Sequence, residues 1–120
     1  MTTLAVQLNR QDCDATAKAR AELEAHPAWH GMLSQAEAEV RLKGKTPFTY
    51  LVRDGGVADV YFVSFVKEDL SFEHDWIAFE GEMGAWCHRN RTIVSMRRQL
   101  TELFAPMMHV EAGGCSPLSK

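Results

Sequence analysis

The chain of 120 residues is 46% hydrophobic and 24% charged with only 8 Gly and 4 Pro, which excludes disordered and fibrous classes and fits one domain with its own core. A net charge of -3 excludes a general binder of nucleic acid, because phosphate backbones require a broad basic surface; any anion site must therefore be local. No apolar run approaches the length of a membrane span, and the opening MTTLAVQLNRQDCD lacks a basic stretch followed by an apolar one, so the chain is read as cytoplasmic, with no membrane partner.

Residues 9–26, rich in Ala, Glu, Lys and Arg, predict a helix that stops at Pro27. Its apolar face is thin: Ala17, Ala21 and Leu23 either dock on a domain or belong to a mobile lead-in. Ser34 followed by Glu37 is a capping box, predicting a helix from about residue 35, with Leu33, Ala36 and Val40 at helical spacing and Gly44 as its stop.

From 48 to 79 the period changes to two, in FTYLVR, VYFVSFV and LSFEHDWIAF, joined by connections short enough for hairpins. The first two of these strands are apolar on both parities, which implies a sheet covered on both faces. AWCH at 85–88 reads as a further short strand, and Ser95 as the cap of a helix over 96–104 with Met96, Leu100, Leu103 and Phe104 as its apolar stripe. The fold class expected is α+β: a central antiparallel sheet with one helix on each face and an extra N-terminal helical segment. The expected boundaries are a helical extension over 1–27, a domain over 28–112 and a flexible tail over 113–120.

Chemistry concentrates at Arg53, which ends an apolar strand and is followed by Gly55 and Gly56. A guanidinium is always charged, and an isolated buried charge costs several kcal/mol, so Arg53 needs an anion. That anion is either a carboxylate of the fold, Asp54 or Glu37, or a ligand. The two glycines favour the ligand, because they allow successive backbone N–H groups to turn toward one point. His74 and Trp76, two apart on a neighbouring strand, share a face and offer a donor and an aromatic wall. A fork of arginine donors, an amide nest and a flat wall suit phosphotyrosine, which carries about -1.5 to -2 charges at neutral pH.

Other constellations carry less. Cys13, Cys87 and Cys115 are odd in number, widely spaced and without a CxxC, so no disulfide framework, zinc site or cofactor is indicated. His26 and His30 are interrupted by Pro27, which argues against a metal pair, and Cys87-His88 lacks an accompanying catalytic element. No catalytic residue is assigned and the chain is not read as an enzyme.

The residues resemble the Src homology 2 (SH2) domains, which bind phosphotyrosine peptides. The resemblance runs from Trp29 to about Phe104: W-H-G-x-L-S-x-A-E-A-E at 29–39, Y-L-V-R-D at 50–54, Y-x-V-S-F at 61–65, H-x-x-I at 74–77, and R-T followed by S-M-x-x-L at 91–100. It implies a phosphotyrosine-binding, non-catalytic signalling module, read as monomeric, whose partners are tyrosine-phosphorylated proteins. It assigns Arg53 to bidentate phosphate binding, His74 to lining the pocket and holding Arg53, and Gly55, Gly56, Val57 and Ala58 to the phosphate-binding loop. Three positions depart from the family pattern: Gln35 stands where an arginine is common, Gly55 where a serine is usual, and Trp76 where lysine or arginine is common. Downstream peptide residues would be read by Asp75, residues 88–93 and residues 107–114, with Arg89 and Arg91 either favouring acidic residues or lying on solvated surface. The alternative is an SH2-like module that has lost phosphotyrosine binding, with Arg53 paired internally.

Overall fold

The structure, a computed structural model, describes residues 16–56, 60–80, 85–90, 93–97, 100–111 and 113–120, with backbone alone at residue 80, residues 89–90 and residues 93–97. Residues 16–25 are helical (α1), and β1 (Trp29–Met32), α2 (Gln35–Leu42), β2 (Thr49–Asp54), β3 (Val60–Val66), β4 (Phe72–Glu80), β5 (Ala85–Asn90) and β6 (Ile93–Arg97) follow. A short 3-10 turn at Leu100–Glu102, α3 (Phe104–Met107) and a two-residue strand, β7 (Ser116–Pro117), complete the described elements.

Strands β2 to β6 form an antiparallel meander, of which the short connections predict the part from β2 to β4. Two parallel strands close the free edge of β2: β1 pairs beside Val52 and Asp54, and β7 beside Thr49 and Tyr50. The expected α+β architecture, a sheet with helices on both faces, is therefore the one observed.

Period-two alternation divides the sheet into two faces. On one, α2 packs against Leu51, Val66 and Phe72, with Leu33 and Leu118 completing that core. The capping box forms as expected: Glu37 N–H donates to Ser34 Oγ at 3.1 Å, and Ser34 N–H to Glu37 Oε1 at 3.2 Å. The buried stripe of α2 is Ala38 and Leu42, two positions on from the expected one, and Val40 is 74% exposed. The capping box fixes where the helix starts, but which stripe faces inward is set by how it crosses β2 and β3.

On the opposite face a larger core joins Tyr50, Val52, Tyr61, Val63, Ile77 and Trp86 to Leu100, Leu103 and Phe104. The α1 helix packs into this same core through Ala19 and Leu23, whereas Ala17 and Ala21 point to solvent. Glu22 fastens it further, its Oε1 accepting from Trp86 Nε1 and from the Leu100 backbone N–H, each at 3.1 Å.

Two expectations are corrected. The helix expected over 96–104 is β6 at its start, where Cys87 pairs with Met96 and His88 with Ser95; a 3-10 turn follows at Leu100–Glu102, and α-helical backbone begins only at Phe104. Pairing with β5 across a short connection overrides the helix propensity of Met-Arg-Arg, while Ile93 and Val94 suit a strand. The stretch expected to be a flexible tail is bound to the sheet at 116–118: Ser116 N–H donates to Phe48 O and Leu118 N–H to Tyr50 O, with Leu118 packed on the α2 core. One apolar side chain and a vacant strand edge hold a segment whose composition reads as a tail.

Candidate functional site

The alternation that buries Leu51 under α2 also places Arg53 there. Register extends the row across the sheet: Arg53 lies beside Phe62 and Phe62 beside Trp76, while Leu51 lies beside Ser64 and Ser64 beside His74. Arg53, Phe62, Ser64, His74 and Trp76 therefore share the α2 face. Arg53 is only 6% exposed.

Its hydrogen bonds are to neutral groups. Nε donates to Ser64 Oγ at 3.0 Å and Nη1 to the Leu33 carbonyl at 3.2 Å, at the entry to α2. Ser64 Oγ lies 2.7 Å from His74 Nδ1, and His74 Nε2 lies 2.7 Å from Glu39 Oε2. One donor order satisfies every atom: Arg53 Nε–H to Ser64, the Ser64 hydroxyl to His74 Nδ1, and His74 Nε2–H to Glu39. A four-residue relay thus runs from a cation under the helix to a carboxylate on it.

Both internal anions weighed for Arg53 are engaged elsewhere. Asp54 Oδ2 accepts from Arg20 Nη1 at 3.3 Å, Asp54 Oδ1 accepts from Gly56 N–H at 3.0 Å, and Glu37 serves the capping box. Hydrogen bonds from Ser34 hold the Glu37 carboxyl below its usual range. Among the described residues, no carboxylate forms an ion pair with Arg53. Burial lowers its pKa, and it remains a cation at any physiological pH.

The Phe62 ring fills part of the charge's surroundings, with its centroid 4.8 Å from Arg53 Cζ. It also accounts for Gly55: a Cβ there would clash with Phe62 Cε2 and Cδ2. The hydroxyl that the resemblance leads one to expect at this position is thus displaced by an aromatic ring. Gly56 has φ +85, a region that L side chains rarely adopt, and its N–H is directed at Asp54.

Of the residues singled out from sequence, the structure brings Arg53 and His74 together through Ser64. Gly55 and Gly56 follow after Asp54, and Val57 and Ala58 lie outside the described residues. Gln35 is the first residue of α2 and exposed. Trp76 shares the face but stands two strands from Arg53, roughly 10 Å at usual strand spacing, with Phe62 between them. Ser64, Glu39, Phe62 and the Leu33 carbonyl were not singled out. Ser64 had a signal, the lone small polar residue in the run VYFVSFV, because a buried polar group requires a partner.

Asp75 lies beside Val63 and so faces the other way from His74, where its Oδ2 is 3.5 Å from the buried His88 Nε2. Met107 and Met108 are core residues, Arg91 lies outside the described residues, and the Arg89 side chain is likewise not described. His30 hydrogen bonds to Leu118 O and Arg41, and His26 Nδ1 accepts from Ala28 N–H. Among the described residues, no three His, Cys, Asp or Glu side chains cluster as a metal site, and no helix is long and apolar enough to cross a membrane.

The meander with parallel strands along its β2 edge, the helix on each face and the arginine under α2 define a class of α+β domain. Solved structures give the class its family name. The SH2 domain of a CRK/CRKL homologue from Monosiga brevicollis aligns with a TM-score of 0.60 at 25% identity, over 80% of this chain and 89% of that one. The SH2 domain of human proto-oncogene protein VAV1 aligns with a TM-score of 0.52 at 26% identity, over 68% of this chain and 55% of that one. No family model and no curated protein matches the sequence. The chain is an SH2-like domain.

Proposed function

We propose that this domain is a non-catalytic module that binds tyrosine-phosphorylated peptides, with Arg53 as the phosphate-binding group. The observation that carries this reading is the state of Arg53: buried, charged, oriented by Ser64 and Leu33, and without a carboxylate among the described residues. A guanidinium held by neutral acceptors on two of its nitrogens keeps its charge uncompensated, and a phosphate supplies what is missing. In this reading His74 and Ser64 fix the rotamer of Arg53, residues 55–58 form the phosphate loop, Gln35 adds one neutral donor, and Phe62 and Trp76 supply the aromatic wall.

The pocket is lean in positive charge, and Glu39 places a carboxylate beside His74. That observation favours, as the second reading, an SH2-like module without phosphotyrosine affinity. Fluorescence polarisation with degenerate phosphotyrosine peptides and their unphosphorylated counterparts decides between them. Phosphate-dependent binding is expected; equal affinity for both sets would establish the second reading.

A further inference from the structure

The helix α1 reaches the edge of the candidate site through one side chain. Arg20 lies between two rings, its Cζ 5.2 Å from the Trp29 centroid and 5.3 Å from that of Tyr61. From there its Nη1 donates to the Tyr61 hydroxyl at 3.2 Å and to Asp54 Oδ2 at 3.3 Å, while Nε is on Glu24 Oε1 at 3.1 Å. The hydrogen bond to Tyr61 is the main reason its pKa is raised. The other oxygen of Asp54 accepts the Gly56 N–H at 3.0 Å, and Gly56 occupies a left-handed conformation. Asp54 directly follows Arg53, so one carboxylate joins α1 to the first residues of the loop after β2.

This geometry has two consequences for an anion at Arg53. The Asp54 carboxylate, beside Tyr61 on the opposite face, would repel it across the strand, and Arg20 offsets that charge. Asp54 also has one of its oxygens on Gly56, so the orientation that Arg20 imposes on the carboxylate is transmitted to the Gly55–Gly56 backbone. Neither effect requires Arg20 to touch the ligand.

We infer that Arg20, on the N-terminal helix, is a positioning residue for the phosphate site: through Asp54 it neutralises and orients the start of the phosphate loop, so docking of α1 raises affinity for phosphotyrosine peptides. The inference rests on the function proposed above. It gives the helix a role in binding that its place in the core does not require, since Ala19, Leu23 and Glu22 already fasten it.

The test uses the full chain and a degenerate phosphotyrosine peptide pool. Arg20→Gln is expected to weaken binding roughly five- to thirtyfold, the scale of losing a charged hydrogen bond that aids a neighbouring one. The loss should shrink at 1 M salt, where screening weakens the repulsion from an unpaired Asp54. Asp54→Asn, which removes the charge but keeps an oxygen for Gly56 N–H, should restore most of the affinity when combined with Arg20→Gln. Amide exchange at Gly56, followed without ligand, should speed up in Arg20→Gln and stay slow in Arg20→Lys. Thermal unfolding separates these effects from loss of fold. Arg20→Gln binding as tightly as the parent while Arg53→Ala loses affinity, or an unchanged Gly56 amide, would overturn the inference. If the parent chain does not bind phosphopeptides, the proposed function fails, and the Gly56 amide still decides whether Arg20 orders the loop through Asp54.

Discussion

The two faces of the sheet are built on different principles. The face under α1 and α3 is an aromatic and aliphatic core, with Tyr50 and Phe104 ring centroids 4.5 Å apart and Trp86 1% exposed. The face under α2 has a smaller apolar core and a polar relay, Arg53–Ser64–His74–Glu39, crossing it. Polar groups are left over differently too. On the first face Asp75 Oδ2 and both ring nitrogens of His88 are buried with no hydrogen-bond partner among the described residues, although Oδ2 lies 3.5 Å from Nε2. On the second the relay satisfies its own atoms, and Arg53 is left without a direct ion pair among the described residues. One face carries the larger apolar core, and the other holds a buried cation with no ion pair among the described residues.

Substitutions separate the two roles. The largest effect on stability is expected from Phe104→Ala, which opens a cavity in the larger core and should cost about 3–5 kcal/mol, read by denaturant unfolding. A destabilisation below about 1 kcal/mol would mean that this face is not the main source of stability. Ser64→Ala comes next. It strands Arg53 Nε and His74 Nδ1, so a loss of about 1–3 kcal/mol is expected, together with weaker phosphopeptide binding, because the arginine rotamer is released. Gly55→Ser tests the ring that replaces the family's hydroxyl. Its Cβ would force Phe62 to move, for about 1–3 kcal/mol, and Phe62→Ala in the same chain should relieve the clash; additive losses would contradict it.

The smallest effect is in pH. His30 is buried at the tail, donating through Nε2 to Leu118 O and accepting at Nδ1 from Arg41. Burial first, and then the positive charges of Arg41 and Lys120, lower its pKa. Burial likewise lowers that of His26. A histidine with a lowered folded pKa takes up its proton more readily when unfolded, so its contribution is complete above the unfolded value of about 6.5 and is lost as pH falls from there through the folded value. Thermal melts should therefore drop below about pH 6.5, and His30→Gln should flatten that slope. An unchanged slope in the variant would remove His30 from this role.

Much of the α2 face was legible in the sequence because local rules govern it. Ser34 and Glu37 fixed the helix start, alternation put Arg53 on the same side as Leu51, and the order of motifs carried the family resemblance. What was not legible depends on pairing between distant segments. Ile93–Arg97 became a strand because β5 offered an edge, and residues 116–118 joined the sheet because β2 had one vacant beside β1. The partners of Arg53 were less legible. The resemblance points to His74, which reaches Arg53 only through Ser64, whereas Ser64 and Phe62 could be ranked only once register set them beside Leu51 and Arg53. Trp76 shows the limit of parity reasoning, which gives the correct face but not the distance across it.

Calorimetric titration of one phosphotyrosine peptide against the parent chain and Arg53→Ala tests the role of Arg53 most directly. The parent should bind the phosphorylated peptide and not its unphosphorylated form, and Arg53→Ala should lose about 2–5 kcal/mol of that affinity while keeping its fold, the scale for removing one partner of a desolvated charge pair. Equal affinity of parent and variant for the phosphopeptide would contradict the assignment of Arg53 as the phosphate-binding group.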